Sequence, residues 1–243
     1  RAPKCQDCHL PDGTHTNITP WGFLALRAYP ESDASWQADR VTILKALGVL
    51  DSNGKGTARL DVVVGAKVVR TTEQEFKAIR DRMVATCEGC HAVGFVDQQI
   101  SASDGIIRDA DRMMAEAITI VNGLYNDGFL TKPEGWDFAP DLLQFYNTES
   151  SVENELFTMF LEYRQRTFMG AFHANPDYMY WYGFASMQDS LQKIKDEAHA
   201  LRATKTSAPN ESYISYAGLA LAILALLAGG WTLFRLYRRS RNP

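Results

Sequence analysis

The sequence predicts a mostly α-helical fold with long C-terminal helices and one C-terminal transmembrane helix. Three observations carry that prediction. Apolar residues recur at helical spacing through several separate segments. Tyr213–Phe234 is an uncharged run rich in Leu and Ala, long enough to cross a bilayer core of about 30 Å as a helix. The one stretch dense in β-formers, around Leu60–Val64, is short and broken by Gly65.

Taken in order, the elements justify themselves locally. After Pro30, Asp33 or Ser35 is placed to cap a helix. Its apolar positions Val41, Ile43, Leu44, Leu47 and Leu50 cluster on one side, and Asp51-Ser52-Asn53-Gly54 ends it. Leu60–Val64, with Val68 and Val69 beyond Gly65, reads as a small hairpin. Thr72 and Glu75 form a capping box that opens a helix through Phe76, Ile79 and Met83. From about Ala102 to Tyr125, Ile106, Ile107, Met113, Met114, Ala117, Ile118 and Val121 keep helical spacing, and Gly128, Pro133, Gly135 and Pro140 punctuate the turn region beyond. Two further helices, Val152 to about Phe172 and Asp177 to about Leu201, are separated by Asn175-Pro176 and are expected to run antiparallel. The expected organisation is a body over 1–203, a linker over 204–212, the membrane span over 213–234 and a basic tail over 235–243.

All four cysteines fall in two copies of one signature, Cys5-Gln6-Asp7-Cys8-His9 and Cys87-Glu88-Gly89-Cys90-His91. Two thiols three positions apart suit the two vinyl groups of one porphyrin edge, and the adjacent His offers an imidazole to the iron. Zinc ribbons and disulfide frameworks use similar cysteine spacings but have no use for the two histidines. The reading is two covalent c-type haems, attached through Cys5, Cys8, Cys87 and Cys90, with His9 and His91 as proximal ligands. Among the remaining histidines, His15 is a candidate distal ligand, more naturally for a neighbouring haem than for the one on His9. His173, at the end of an apolar helix, is balanced between ligand and helix cap. His199 reads as a solvated helix residue. Met83, Met113, Met114 and Met159 read as core, and Asp104, Asp109 and Asp111 as an exposed acidic face.

Asn175-Pro176-Asp177-Tyr178-Met179-Tyr180-Trp181-Tyr182-Gly183-Phe184 is the most unusual local composition, with aromatic rings all round one helix. They serve either to pack against haem planes or to supply a reactive tyrosine.

The net charge of −4 over 243 residues, without a basic stripe interleaved with aromatics, argues against a nucleic-acid surface. Tyr213, Tyr216 and Trp231 near the ends of the apolar run, followed by Arg235, Arg238, Arg239 and Arg241, predict a cytoplasmic tail. The body is then expected on the periplasmic side of a bacterial inner membrane, held by a single-pass anchor, in keeping with where c-type haem is assembled. The start at Arg1, four residues before the first signature, reads as a processed or truncated edge.

Four blocks carry a family pattern: His15-Thr16-Asn17-Ile18-Thr19-Pro20-Trp21-Gly22-Phe23, the stretch from Met83 to His91, Ala110-Asp111-Arg112-Met113-Met114-Ala115-Glu116-Ala117, and Gly170-Ala171-Phe172-His173-Ala174-Asn175-Pro176-Asp177-Tyr178. Together they resemble the C-terminal part of the octahaem hydroxylamine oxidoreductase family over about residues 1–203. The resemblance implies a mostly helical multihaem cytochrome c, a homotrimer that oxidises hydroxylamine, or hydrazine in some members, and passes electrons to cytochrome c acceptors. It further implies a tyrosine cross-linked to the catalytic haem of a neighbouring subunit. Tyr178 is favoured for that role, then Tyr182, then Tyr180. Only two of the family's eight haem sites are present, corresponding to the last two, so the chain by itself does not hold the catalytic haem. The expected function is thus the electron-transfer and cross-linking portion of a membrane-anchored hydroxylamine oxidoreductase. The alternative is an anchored dihaem cytochrome that only carries electrons to a quinone-linked chain.

Overall fold

The structure, a computed structural model, describes residues 3–10, 13–15, 26–27, 32–65, 69–70, 72–136, 140–144, 148–207 and 231. The chain divides into two compact units, Arg1–His199 and Ala200–Pro243. Apart from Trp231, the expected membrane span and its basic tail lie outside the described residues. Among those described, no helix is long and apolar enough to cross a membrane. The described fold is therefore corrected to a mostly helical one in which no described helix is membrane-spanning, and the single-pass anchored localisation finds no support in any described helix. The long helices that are described carry acidic and basic residues on their exposed faces, the pattern of amphipathic helices packed on one another.

The described elements are helical save for two dipeptide strands. A short helix, α1 (Cys5–His9), is followed by β1 (Leu26–Arg27), α2 (Ala34–Ala46), α3 (Ala58–Gly65), β2 (Val69–Arg70), α4 (Glu73–Glu88) and α5 (Val93–Asn126). A helical hairpin completes the body. Its first arm joins α6 (Ser151–Thr158), a π-helical turn (Met159–Arg164) and α7 (Gln165–Phe172); its second joins a π-helical turn (Tyr178–Phe184) and α8 (Ala185–Ser207).

Capping chemistry sets most of the boundaries. Asp33 caps α2, accepting the Trp36 N–H at 3.0 Å. Thr72 caps α4 through the Glu75 N–H at 3.1 Å. Ser150 and Glu153 form a reciprocal capping box on α6. The end of α2 falls earlier than the Asp51–Gly54 turn suggests. Gly48, at φ +65°, donates to the Lys45 carbonyl while Val49 donates to Leu44, a Schellman stop that a side chain at position 48 would disfavour.

The expected hairpin at Leu60–Val64 is instead α3. Its β-formers are overridden by tertiary contacts: as a helix the segment buries Val63 and brings Arg59 to the Leu47 carbonyl and to Asp141, at 2.8 and 2.9 Å. Val69–Arg70 pairs in parallel with the distant Leu26–Arg27. Helix α5 also begins nine residues before its apolar periodicity, because an established helix extends cheaply through weakly patterned residues; in that extension Val96 is buried while Val93 and Phe95 are exposed.

Helix α5 is the spine of the core. Ile107, Ala110, Met114, Ala117, Val121 and Leu124 form a buried stripe at i+3 and i+4 steps, against which α2, α6 and α7 pack. Asp111 lies within that stripe. The expected exposed position is wrong, for its carboxylate is fully buried and accepts from Trp36 Nε1 at 2.9 Å and from Arg164 Nε and Nη2 at 3.1 and 2.9 Å. Arg40 stands 3.7 Å away and is also buried. Breaking such a buried pair by removing one partner costs about 3–5 kcal/mol, because the other charge is left stranded. The hairpin arms are joined by polar contacts: Ser190 Oγ donates to Glu155 at 2.5 Å, and Ser151 to Glu197.

Candidate haem sites

Each signature folds as a turn of helix. In α1 the Lys4 N–H donates to the Asp7 carboxylate at 2.8 Å, which assigns Asp7 to capping the attachment helix. The i, i+3 spacing then brings Cys5 and Cys8 to one side of that turn. An open hollow of about 320 Å³ beside this helix is lined by Cys5, Gln6, His9 and Leu10. In the second copy α4 ends at Glu88, and the Cys87 carbonyl accepts from both the Cys90 and His91 N–H groups, at 3.1 and 3.0 Å, so the thiols again follow a helical turn. The four cysteines form no disulfide. Among the described residues no group of three or more His, Cys, Asp or Glu is arranged to hold a metal, so the two cysteine pairs are not gathered into a zinc site.

The histidines separate clearly. His173 and His9 are 164 positions apart in sequence, yet their ring centroids stand 6.1 Å apart with planes within 20°. Two imidazoles bound on opposite sides of one metal ion, at about 2 Å each, hold their centroids about 6 Å apart. The two rings are stacked, and their spacing is of the size that two imidazole ligands of one haem iron would need. The His173 Nδ1 lies 2.6 Å from the Met169 carbonyl oxygen. Because a carbonyl only accepts, this contact calls for the proton on Nδ1, which in the neutral tautomer leaves the Nε2 lone pair available to a metal, the arrangement usual for a histidine ligand. His91 is exposed and lies beside Phe95, centroids 5.2 Å apart. His15 is exposed, and no described contact brings it to either signature. His199 is exposed on α8, as expected.

The aromatic cluster follows the His173 turn. Tyr178 is half-buried, its N–H donating to Asn175 Oδ1 at 3.1 Å, and its ring lies 6.1 Å from that of Tyr182. Tyr180 is 50% exposed, Trp181 71% and Tyr182 48%. Most of these rings therefore face outward instead of packing the core. Met113, Met114 and Met159 are buried in the core, as expected, and Met83 is partly buried.

Two features escaped the sequence reading. One is the Asp111–Arg164 pair, whose signal was the place of Asp111 on the apolar stripe. The other is the pair of π-helical turns, for which no sequence signal is evident.

Comparison with known proteins agrees with this picture. Residues 64–135 match the family described as "Seven times multi-haem cytochrome CxxCH". That match takes in the second signature, Cys87–His91, and supports reading this chain as a multihaem c-type cytochrome. Its fold is similar to that of a chain in the reducing HAO-like protein complex of Kuenenia stuttgartiensis, with a TM-score of 0.56 and 21% identity over 84% of this chain. The match covers 46% of that neighbour, so the chain spans about half of its length. No curated protein matches. The family match supports covalent c-type haem binding and an electron-transfer role.

Proposed function

We propose that this cytochrome is the electron-conducting C-terminal portion of a hydroxylamine oxidoreductase-like protein, with one covalent haem at Cys5/Cys8 and one at Cys87/Cys90. The observation that carries the proposal is the 6.1 Å spacing of His9 and His173. A haem iron with both axial positions filled by imidazole exchanges electrons without binding substrate. His9 would hold the iron from the attachment helix and His173 from the hairpin turn, with Met169 fixing the His173 tautomer through Nδ1. His91 would hold the second iron. The exposed Phe95 beside it would cover part of that macrocycle.

In this reading hydroxylamine is oxidised to nitrite or nitric oxide at a catalytic haem supplied outside this chain, and the electrons leave through these two haems to cytochrome c acceptors. Tyr178 is the favoured cross-linking residue toward a neighbouring subunit of a homotrimer, because it is the ring of the cluster nearest the His173 turn in sequence. The neighbour's description as a reducing HAO-like complex supports a second reading, in which the same haems deliver electrons for a reductive reaction. The complete protein separates the two. A red-shifted chromophore lost in Tyr178→Phe, with reduction of cytochrome c on adding hydroxylamine, is the oxidative outcome. Absence of the chromophore, with oxidation of the prereduced haems by nitrite, is the reductive one. Conduction itself is tested by His173→Ala, which should convert one haem from low-spin to high-spin. An unchanged low-spin spectrum would refute the His9–His173 axial pair.

A further inference from the structure

The crossing of the two hairpin arms rests on two glycines. A Cβ at Gly170 would stand 2.4 Å from the Met179 backbone nitrogen and 2.5 Å from its Cα. One at Gly183 would stand 2.5 Å from the Thr167 nitrogen and 2.8 Å from its Cα. These are backbone atoms, which cannot rotate aside as a flexible side chain does. Both glycines are buried. Gly170 faces Met179 and Gly183 faces Thr167, so the contact is antiparallel and closes at the turn containing His173.

That turn is tightly bound. The His173 N–H donates to Met169 at 3.0 Å, Asn175 donates to the Gly170 carbonyl at 2.9 Å, and Met179 donates to the Asn175 carbonyl at 3.0 Å. Ala174 is held at φ +51°, a left-handed conformation that alanine rarely adopts unless its surroundings enforce it. Ser103 on α5 donates to the Ala171 carbonyl at 3.2 Å, tying the end of α7 to the core. The direction of the His173 ring is therefore set by how closely the arms approach, and Met169 fixes it from one turn earlier.

From this geometry we infer that Gly170 and Gly183 are positioning residues for the distal ligand: their lack of a side chain holds His173 within bonding distance of the iron carried by His9. The inference rests on the proposed His9–His173 axial pair. A methyl group at position 170 pushes Met179 and the turn away from α7, and a displacement of about 1 Å breaks a metal–nitrogen bond of about 2 Å while leaving both helices formed.

The test uses the haem-loaded chain. Cys5→Ser/Cys8→Ser first identifies the low-spin signal that belongs to the first signature. Gly170→Ala should then lose that signal, gain high-spin absorption equal to one haem, keep its helical circular dichroism, and recover low-spin character with added imidazole. Gly105→Ala, at a site with no atom within 4 Å of the new Cβ, should change nothing. A folded Gly170→Ala that remains fully low-spin overturns the inference while leaving the axial pair standing. A His173→Ala chain that remains low-spin overturns the axial pair itself. Should Gly170→Ala not fold, Gly183→Ala carries the same test, and failure of both to fold overturns a positioning role in favour of a purely structural one.

Discussion

The two haem signatures share one local plan and differ in almost everything around it. The first is a five-residue helix whose histidine meets a second imidazole from a hairpin more than 160 residues away. The second lies between a 16-residue and a 34-residue helix, and its histidine is exposed beside a phenylalanine. Covalent attachment is a local matter of two thiols on one turn. Which ring comes to lie beside each signature histidine is set by tertiary structure, and the two copies receive different surroundings.

The largest effect should come from removing what both signatures depend on. Helix α5 starts just beyond His91, and its buried Asp111 holds Arg164 on the arm that ends at His173. Asp111→Ala should cost about 3–5 kcal/mol in denaturant unfolding and disturb both haems together. A loss confined to one haem would show that the sites are mechanically separate. His173→Ala comes next, abolishing low-spin character at the first haem and leaving the second untouched; equal loss at both would remove the asymmetry argued above. On the proposed axial pairing, His15→Ala should leave the first haem's spectrum unchanged, since His173 would fill the far side of that iron. A change there would reassign the ligand.

The smallest effects are electrostatic and belong to α2. Desolvation, then the nearby Asp111 carboxylate, raise the Asp39 pKa above its usual value. A carboxyl whose folded pKa is raised favours the fold below its unfolded pKa and loses that contribution as pH rises through the folded value. Asp39→Asn should therefore raise the unfolding midpoint at neutral pH, with the gain vanishing in acid. Asp33 is opposite in sign. Its bond from the Trp36 N–H, then the Arg108 charge, set against some desolvation, lower its pKa, so its contribution is present near neutrality and fades as the carboxyl protonates in acid. Asp33→Ala should lower the midpoint at neutral pH and converge with the unsubstituted chain in acid.

The capping residues Asp33 and Thr72, the apolar stripe of α5 and the break at Asn175-Pro176 were legible, because each depends on residues within one or two helical turns. Asp111 was misread for a reason that generalises. A single acid in an apolar stripe looks like the edge of an exposed face until its partners, here Arg164 and Trp36 at separations of 53 and 75 residues, are brought to it. Leu60–Val64 was misread similarly, since intrinsic β preference, a weak term, gave way to the Arg59–Asp141 pairing. Reading the uncharged run after the linker as a membrane helix applied a length and polarity rule to one segment, and the described helices contain no such element.

By itself the sequence determined the helical class and the punctuation of its helices, both products of short-range stereochemistry. Tertiary structure alone decided that His173 meets His9, that Asp111 is an internal counter-ion, and that two glycines bring the hairpin arms into contact. Each of those depends on approach between residues far apart in the chain, which no local pattern encodes and only the packed core enforces.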